Sequence, residues 1–204
     1  MRKDAARNRD RLIAAAREAF RAGAADISLE DIAARAGVGR STLFRNFADR
    51  VDLIRAVQAV EQEAIAAECA ALGERPDAVF ALMRTVARLT FIYRAMDDTL
   101  LASPAGKAMM VEAARETAAL FVAPVARAKA AGLVRGDVSV DDILVACNMI
   151  GSAQGSDFST GESVFEQGFA LMLKGIGGPT ARDWTCGCDR IPAVSKDGTC
   201  SSTY

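Results

Sequence analysis

Apolar residues along this chain recur at helical rather than strand spacing. Leu12, Ala16, Ala19 and Phe20 fall at i, i+4, i+7 and i+8, one face of a helix that Gly23 ends. Ser28 is placed to cap a short second helix, with Asp31 in the capping-box position and Leu29, Ile32 and Ala33 along one face. Gly37 supplies a residue that turns at positive φ without a Cβ clash, and Val38 is an apolar plug. A third short helix opens at Gly39 or Arg40 and is expected to turn Leu43, Phe44 and Phe47 inward. Asp49, with Asp52 three residues on, reads as the cap of a fourth helix, through Val51, Leu53, Ile54, Val57 and Val60 to Ala71 or Leu72.

Residues 73–77 read as a break, with Pro76 at the start of a fifth helix from Ala78 to about Met96. That helix is apolar on nearly every side, which predicts a central, buried element. Residues 97–104 predict a short connecting helix or loop around Leu100 and Leu101. A long helix over 109–131 contains Pro124, which should kink it and free a carbonyl one turn earlier, and Gly132 closes it. Ser139 and Asp142 form a second capping box ahead of Val145, Met149 and Ile150, and residues 151–156 read as a break. Thr160 is the expected cap of a last helix through Val164, Phe165, Phe169, Leu171, Met172 and Leu173, stopped by Gly175, Gly177, Gly178 and Pro179. Beyond about Thr180 the composition turns polar and rich in Gly, Ser and Thr, the pattern of a poorly ordered tail.

Strong helix formers dominate and only 5 of 204 residues are Pro, so the fold class is all-α. No uncharged apolar run reaches about 18 residues, and the charged N-terminus has no apolar signal core, so a cytoplasmic protein without a membrane partner is expected. The chain has no His, which removes Ser-His-Asp and Cys-His catalysis and His-ligated metals. The odd count of 5 Cys argues against a disulfide framework. Cys69 and Cys147 sit in apolar helical patterns. Cys186, Cys188 and Cys200 offer three soft ligands without a fourth, so no metal and no cofactor is assigned.

Two short helices around a glycine turn, the second polar on its outer face, form a helix-turn-helix arrangement. Residues 1–60 hold 12 Lys/Arg against 8 Asp/Glu, a net of +4 on a chain of net charge −1, as suits a phosphate-facing head on an acidic body. Gly39, Arg40, Ser41, Thr42, Phe44, Arg45 and Asn46 are the candidate DNA-reading residues. An Arg there serves a guanine edge or a phosphate, and the Thr42 methyl suits a thymine methyl. Ser28 with its neighbouring backbone N–H groups, and Arg50, are phosphate candidates. Residues 1–10 are expected to start extended or frayed, with Arg2, Lys3 and Arg7 either reaching DNA or forming a solvated tail.

Residues 8–60, with the helix from Arg11 to Phe20 (RLIAAAREAF), the motif at 28–47 (SLEDIAARAGVGRSTLFRNF) and the segment at 47–54 (FADRVDLI), resemble the DNA-binding domain of TetR-type transcriptional regulators. The rest of the chain resembles that family only in helical organisation. The resemblance implies a helix-turn-helix domain over 1–55, a helical ligand-binding and dimerisation domain over 56–178 joined to it by the fourth helix, and a tail over 179–204. It implies a homodimer reading a pseudo-palindromic double-stranded operator, with the last two helices building the interface. Phe165, Phe169 and Met172 are its candidates, with Leu171 beside them. It also implies a small-molecule effector in the second domain. Phe80, Met83, Phe91, Met96, Met110, Phe121 and Met149, with Met109, suit a largely apolar pocket, and Arg84, Arg88, Arg94 and Asp97 could orient a ligand. Phe44 and Asn46 depart from the Tyr and His common in the family, so a phosphate-bonding hydroxyl is missing and affinity should rest more on the arginines. Repression with ligand-induced release is the family's default. The competing readings are an architectural DNA binder without a ligand, and an enzyme using the helical domain. The enzyme reading has no nucleophile–base pair, phosphate loop or metal cluster behind it.

Overall fold

The computed structural model describes residues 2–24, 26–152 and 161–178. Helix α1 (Arg2–Arg21) begins at once rather than after a frayed arm. Ala5 and Ala6 propagate a helix well, and Asp4 in the first turn complements the helix dipole. Leu12, Ala16, Ala19 and Phe20 are all buried, the stripe their spacing predicts. Helix α2 (Leu29–Ala36) is capped by the Ser28 hydroxyl, which accepts from Asp31 N at 3.0 Å. Gly37 ends α2 at φ 62°, with its N–H on Ala34 O and that of Val38 on Ala33 O, so the orphan carbonyls of the last turn are satisfied. Helix α3 (Arg40–Asn46) buries Leu43 fully. Phe44, expected to point inward, is instead 44% exposed. A seven-residue helix lying on α1 and α2 has only one inner stripe, and Leu43 with Phe47 fills it.

Helix α4 (Arg50–Leu72) opens on the predicted box: Asp52 N donates to Asp49 Oδ1 at 2.9 Å, and Ala48 N to Asp52 Oδ2 at 3.2 Å. It belongs to two cores. Leu53, Ile54, Ala56 and Val57 close the core of α1–α3, whereas Ile65 lies in a second core built by the later helices. Helix α5 (Ala78–Tyr93) runs through that second core and packs most extensively on α8 (Val140–Ser152). It stops three residues before the expected end, in a 3₁₀ turn (Arg94–Met96) that leads into α6 (Asp97–Leu101). Met96 and Leu100 of this connection drop into the core of α1–α3. Helix α7 (Pro104–Ala130) starts five residues earlier than its apolar pattern, because Ser103 caps it and Pro104 takes the first turn.

Two features of the long helices follow from single residues. Pro124 has no N–H for the Leu120 carbonyl, and the Cys69 thiol of α4 donates to that carbonyl at 3.6 Å. Gly151, expected to break α8, lies within it and is buried. A Cβ there would stand 2.5 Å from Thr90 Cβ, so α8 approaches α5 too closely at this glycine for any side chain. The α8 cap is reciprocal: Ser139 N donates to Asp142 Oδ2 at 2.8 Å and Asp142 N to Ser139 Oγ at 3.1 Å. Helix α9 (Gly161–Ile176) packs Phe165 and Phe169 inward at 1% and 2% exposure, and Met172 lies against the same core. The two Phe, expected at a face between subunits, therefore belong to the intrachain core. Their i, i+4 stripe is the one α9 presents to α5 and α8, where Phe165 lies 6.2 Å from Phe91. The Thr160 cap, the tail over 179–204 and Cys186, Cys188 and Cys200 lie outside the described residues.

One polar cluster spans this architecture. Glu61 of α4 is 5% exposed, and its carboxylate accepts from Arg17 Nε at 2.8 Å, from Arg21 Nη2 at 2.9 Å and from the Tyr93 hydroxyl. Three helices, α1, α4 and α5, thus meet on one carboxylate. Burial by itself would raise its pKa, but the bonds from Arg17, Arg21 and Tyr93 outweigh burial and hold it down to about 2. Burial and the Glu61 bond push the Tyr93 phenol well above its ordinary value.

Glu61→Ala leaves two arginines facing a desolvated gap, so thermal unfolding should come on the order of 10 °C lower, with Glu61→Gln intermediate. Because the folded pKa of Glu61 lies below its ordinary 4.5, the stability this group contributes is complete above pH 4.5 and is lost as pH falls toward about 2. Chemical denaturation across that window should show a steeper loss in the wild type than in Glu61→Gln.

Candidate nucleic-acid interface

The outer face of α3 is built by exclusion. With Leu43 and Phe47 buried, the residues at the other helical positions face solvent: Arg40, Ser41, Phe44 and Arg45 are exposed, and Thr42 and Asn46 half-exposed. Gly39 caps the helix without a side-chain bond and with open space where a Cβ would stand, so backbone lies at the surface there. This brings six of the predicted reading residues together on one short helix, with Gly39 at its cap.

Their immediate partners separate reading groups from scaffold. The Arg40 side chain is 74% exposed, meets Glu30 Oε1 at 3.2 Å and lies 5.6 Å from the Phe44 ring. Such an exposed pair is worth little and exchanges readily for a phosphate or a base. The Phe44 ring meets the Arg40 guanidinium, a contact the ring of a Tyr would make as well. Arg45 folds along its own helix, with Nε on Ser41 O at 3.1 Å and Nη2 on Thr42 Oγ1 at 3.2 Å. Asn46 Nδ2 donates to Thr42 O at 2.7 Å, and Asn46 O accepts from Arg9 Nη1 at 3.0 Å.

Ser28 and Arg50 are placed differently from the reading residues. The Ser28 hydroxyl also donates to Asp31 Oδ2 at 2.7 Å. Glu30 and Asp31 occupy the first turn of α2, so that turn already holds negative charge where a phosphate would sit. Arg50 donates to the Ile27 carbonyl and lies 5.8 Å from the Phe20 ring, which ties the loop before α2 to the start of α4. Arg9, which its place in the sequence did not single out, stacks 4.5 Å from the Phe47 ring and holds the C-terminus of α3. Arg7 lies on α1; the side chains of Arg2 and Lys3 are outside the described residues.

Among the described residues, the predicted pocket residues are divided between the two cores and the surface. Phe80, Met83 and Phe121 are fully buried in the second core, with Phe91 packed against its edge. Met96 and Met110, with Met109, pack on the core of α1–α3, and Met149 is 70% exposed on α8. Arg84 is committed to Glu166 of α9 at 2.7 Å, Arg88 stacks 5.5 Å from the Phe165 ring, and Arg94 Nη1 donates to Ser152 O at 2.9 Å. Arg84 and Arg88 bind α5 to α9, and Arg94 binds the 3₁₀ turn after α5 to α8. A cavity of about 30 Å³ lies elsewhere, between α4, the end of α5 and α6. Among the described residues, no three His, Cys, Asp or Glu side chains converge as a metal site. The Glu61 cluster had no local signature: Arg17 and Arg21 are one turn apart on a charged face, and only the packing of α4 brings an acid to them.

Comparison with known proteins agrees with this geometry. Residues 12–57 match the profile of bacterial regulatory proteins of the tetR family, and residues 75–177 match that of the C-terminal domain of SbtR-like transcriptional regulators. A TetR transcriptional regulator from Streptomyces coelicolor is 26% identical, with a TM-score of 0.65 over 84% of this chain and 99% of its own. A TetR transcription regulatory protein from Mycobacterium vanbaalenii is 28% identical, with a TM-score of 0.63 over 86% and 98% of the two chains. No match was found among curated proteins. The chain belongs to the TetR family of transcriptional regulators, with a helix-turn-helix DNA-binding domain at its N-terminus and a helical domain after it.

Proposed function

We propose that this chain is a cytoplasmic, non-enzymatic regulator that binds a pseudo-palindromic operator as a homodimer and releases it when a small, largely apolar effector binds. Residues 1–55 form the reading head and residues 56–178 the effector and dimerisation domain. The observation that carries the reading is the outer face of α3, where Arg40, Ser41 and Arg45 stand exposed on a helix anchored by Leu43 and Phe47. A helix of this length spans one major groove, and one module is too small for gene-level specificity, so two heads related by a two-fold axis are needed.

The face that joins the two copies is assigned to the outer sides of α8 and α9. There Val145, Met149 and Leu171 are 57%, 70% and 67% exposed, although the adjoining inner positions are fully packed. Four such helices across an axis bury this stripe as a bundle. The effector acts by population shift: it favours a conformer in which α4 has moved, and the spacing of the two heads no longer matches the half-sites. Helix α4 suits this role because its N-terminal half completes the head core and its middle belongs to the second core. Repression is the direct consequence where the operator overlaps a promoter.

Selection of genomic fragments with the purified protein, followed by footprinting at known salt, should yield a protected pseudo-palindrome bound roughly 10³-fold or more above random DNA. Uniform, salt-sensitive protection would favour an architectural binder instead. Arg40→Ala combined with Arg45→Ala should weaken operator binding by roughly 10²-fold or more while leaving the unfolding temperature nearly unchanged. Undiminished binding by that variant would remove α3 as the reader. Met149→Glu combined with Leu171→Glu should convert a dimer to a monomer in sedimentation or size-exclusion measurements, and an intact dimer would exclude this face.

A further inference from the structure

Glu30 is not among the reading residues that the sequence points to, yet it stands beside them. It lies in the first turn of α2, a helix held in place by the Ser28 cap and by the buried Ile32, Ala33 and Ala36. Its Oε1 meets Arg40 Nη2 at 3.2 Å, with the two side chains 46% and 74% exposed. The Phe44 ring lies 5.6 Å from the same guanidinium. Arg40 is thus restrained from two sides, by a carboxylate of α2 and by a ring one turn along α3. Arg45, by contrast, is folded back along α3 onto Ser41 O and Thr42 Oγ1. The bond to Glu30 occupies one N–H of Arg40 Nη2. A second N–H on that nitrogen, parallel to one on its neighbour, still forms a fork that another pair of acceptors can meet.

We propose that Glu30 is a positioning residue for DNA reading, and that it holds Arg40 for a guanine in each half-site rather than for a phosphate. The inference rests on the operator-binding reading and names the base which that reading requires at one position. A guanine presents N7 and O6 side by side in the major groove, and a planar guanidinium meets both at once. Arg40 makes that contact while keeping its bond to Glu30. A move to a phosphate breaks the bond and takes the guanidinium off the Phe44 ring. It also leaves the Glu30 carboxylate beside phosphate charge without its cation. Magnitudes decide what such a pair can do. An exposed ion pair is worth about fivefold or less, so Glu30 does not bar Arg40 from phosphates. A bidentate guanine contact is worth roughly five- to 150-fold over the wrong base. Glu30 therefore leaves the gain on guanine intact and trims the gain on every other sequence.

The test compares the full-length wild type, Glu30→Gln, Arg40→Ala and the double variant on the selected operator and on random DNA, each over a range of salt concentrations. The wild-type selection should show a guanine in each half-site whose preference Arg40→Ala relaxes. Glu30→Gln should lower both the preference for that guanine and the operator-to-random ratio by roughly three- to tenfold. On random DNA the slope of log K against log salt should steepen by about 0.9, because the released Arg40 neutralises one more phosphate. In the Arg40→Ala background Glu30→Gln should change neither the base preference nor the slope. Glu30→Ala repeats the comparison without an amide that can itself bond a base. These are surface substitutions and should leave the unfolding temperature nearly unchanged. An operator at which Arg40→Ala relaxes no guanine overturns the base assignment. Equal gains on both DNAs in Glu30→Gln, or the same change with and without Arg40, reduce Glu30 to general charge repulsion and overturn its positioning role. A wild type with no preferred sequence would instead defeat the regulator reading, and the guanine assignment with it.

Discussion

A single buried carboxylate sets the terms for this molecule. Glu61 is surrounded by α1, α4 and α5, and an ionised group at that depth is tolerable only because two guanidinium groups and a phenol converge on it. The requirement is geometric and mutual. If α1 tilts away from α4, or α5 slides along it, a desolvated charge loses a partner. The cluster therefore ties the orientation of the reading head to the helix that runs through the second core.

The two cores are joined in two further ways. Helix α4 contributes Ile54 and Val57 to the head and Ile65 to the body, and the segment after α5 sends Met96 and Leu100 back into the head. The head is thus held on both sides by elements that continue into the second domain. Polar bonds reinforce this along α4: Gln62 Nε2 donates to Ala113 O at 2.8 Å and to Thr117 Oγ1 at 2.9 Å on α7. A helix fastened at several levels moves as a unit or in discrete steps, as the proposed transmission requires.

The arginines divide by burial and partner. Arg17, Arg21, Arg50 and Arg84 have committed partners within the fold, and Arg9 holds the end of α3. Among the described residues, Arg40 is held by an exposed carboxylate and the face of Phe44, and Arg45 by bonds within its own helix. The basic excess of the first 60 residues therefore overstates the charge free to meet DNA, because much of it is structural. The proposed recognition therefore concentrates on a few groups of α3.

The local code determined much of this protein. Caps at Ser28, Asp49 and Ser139, the left-handed turn at Gly37, and the 3.6-residue stripes that bury Leu12, Phe20, Leu43 and Phe47 are satisfied within a few residues of the chain, so they are readable in one dimension. The position of the reading helix followed from the same signals, and so did the freed carbonyl ahead of Pro124. Other assignments depended on which stripe of a helix meets a neighbour. Phe44 faces out because two other side chains fill the inner face of α3. Phe165 and Phe169 face in, and Met149 faces out, because α5, α8 and α9 pack in one particular register. Gly151 looks like a helix breaker in sequence but is a contact point in space. The Glu61 cluster joins residues 44, 40 and 32 positions apart. Periodicity says which residues share a face of one helix; only the packing of three helices decides which faces meet, and so which charges must be paired.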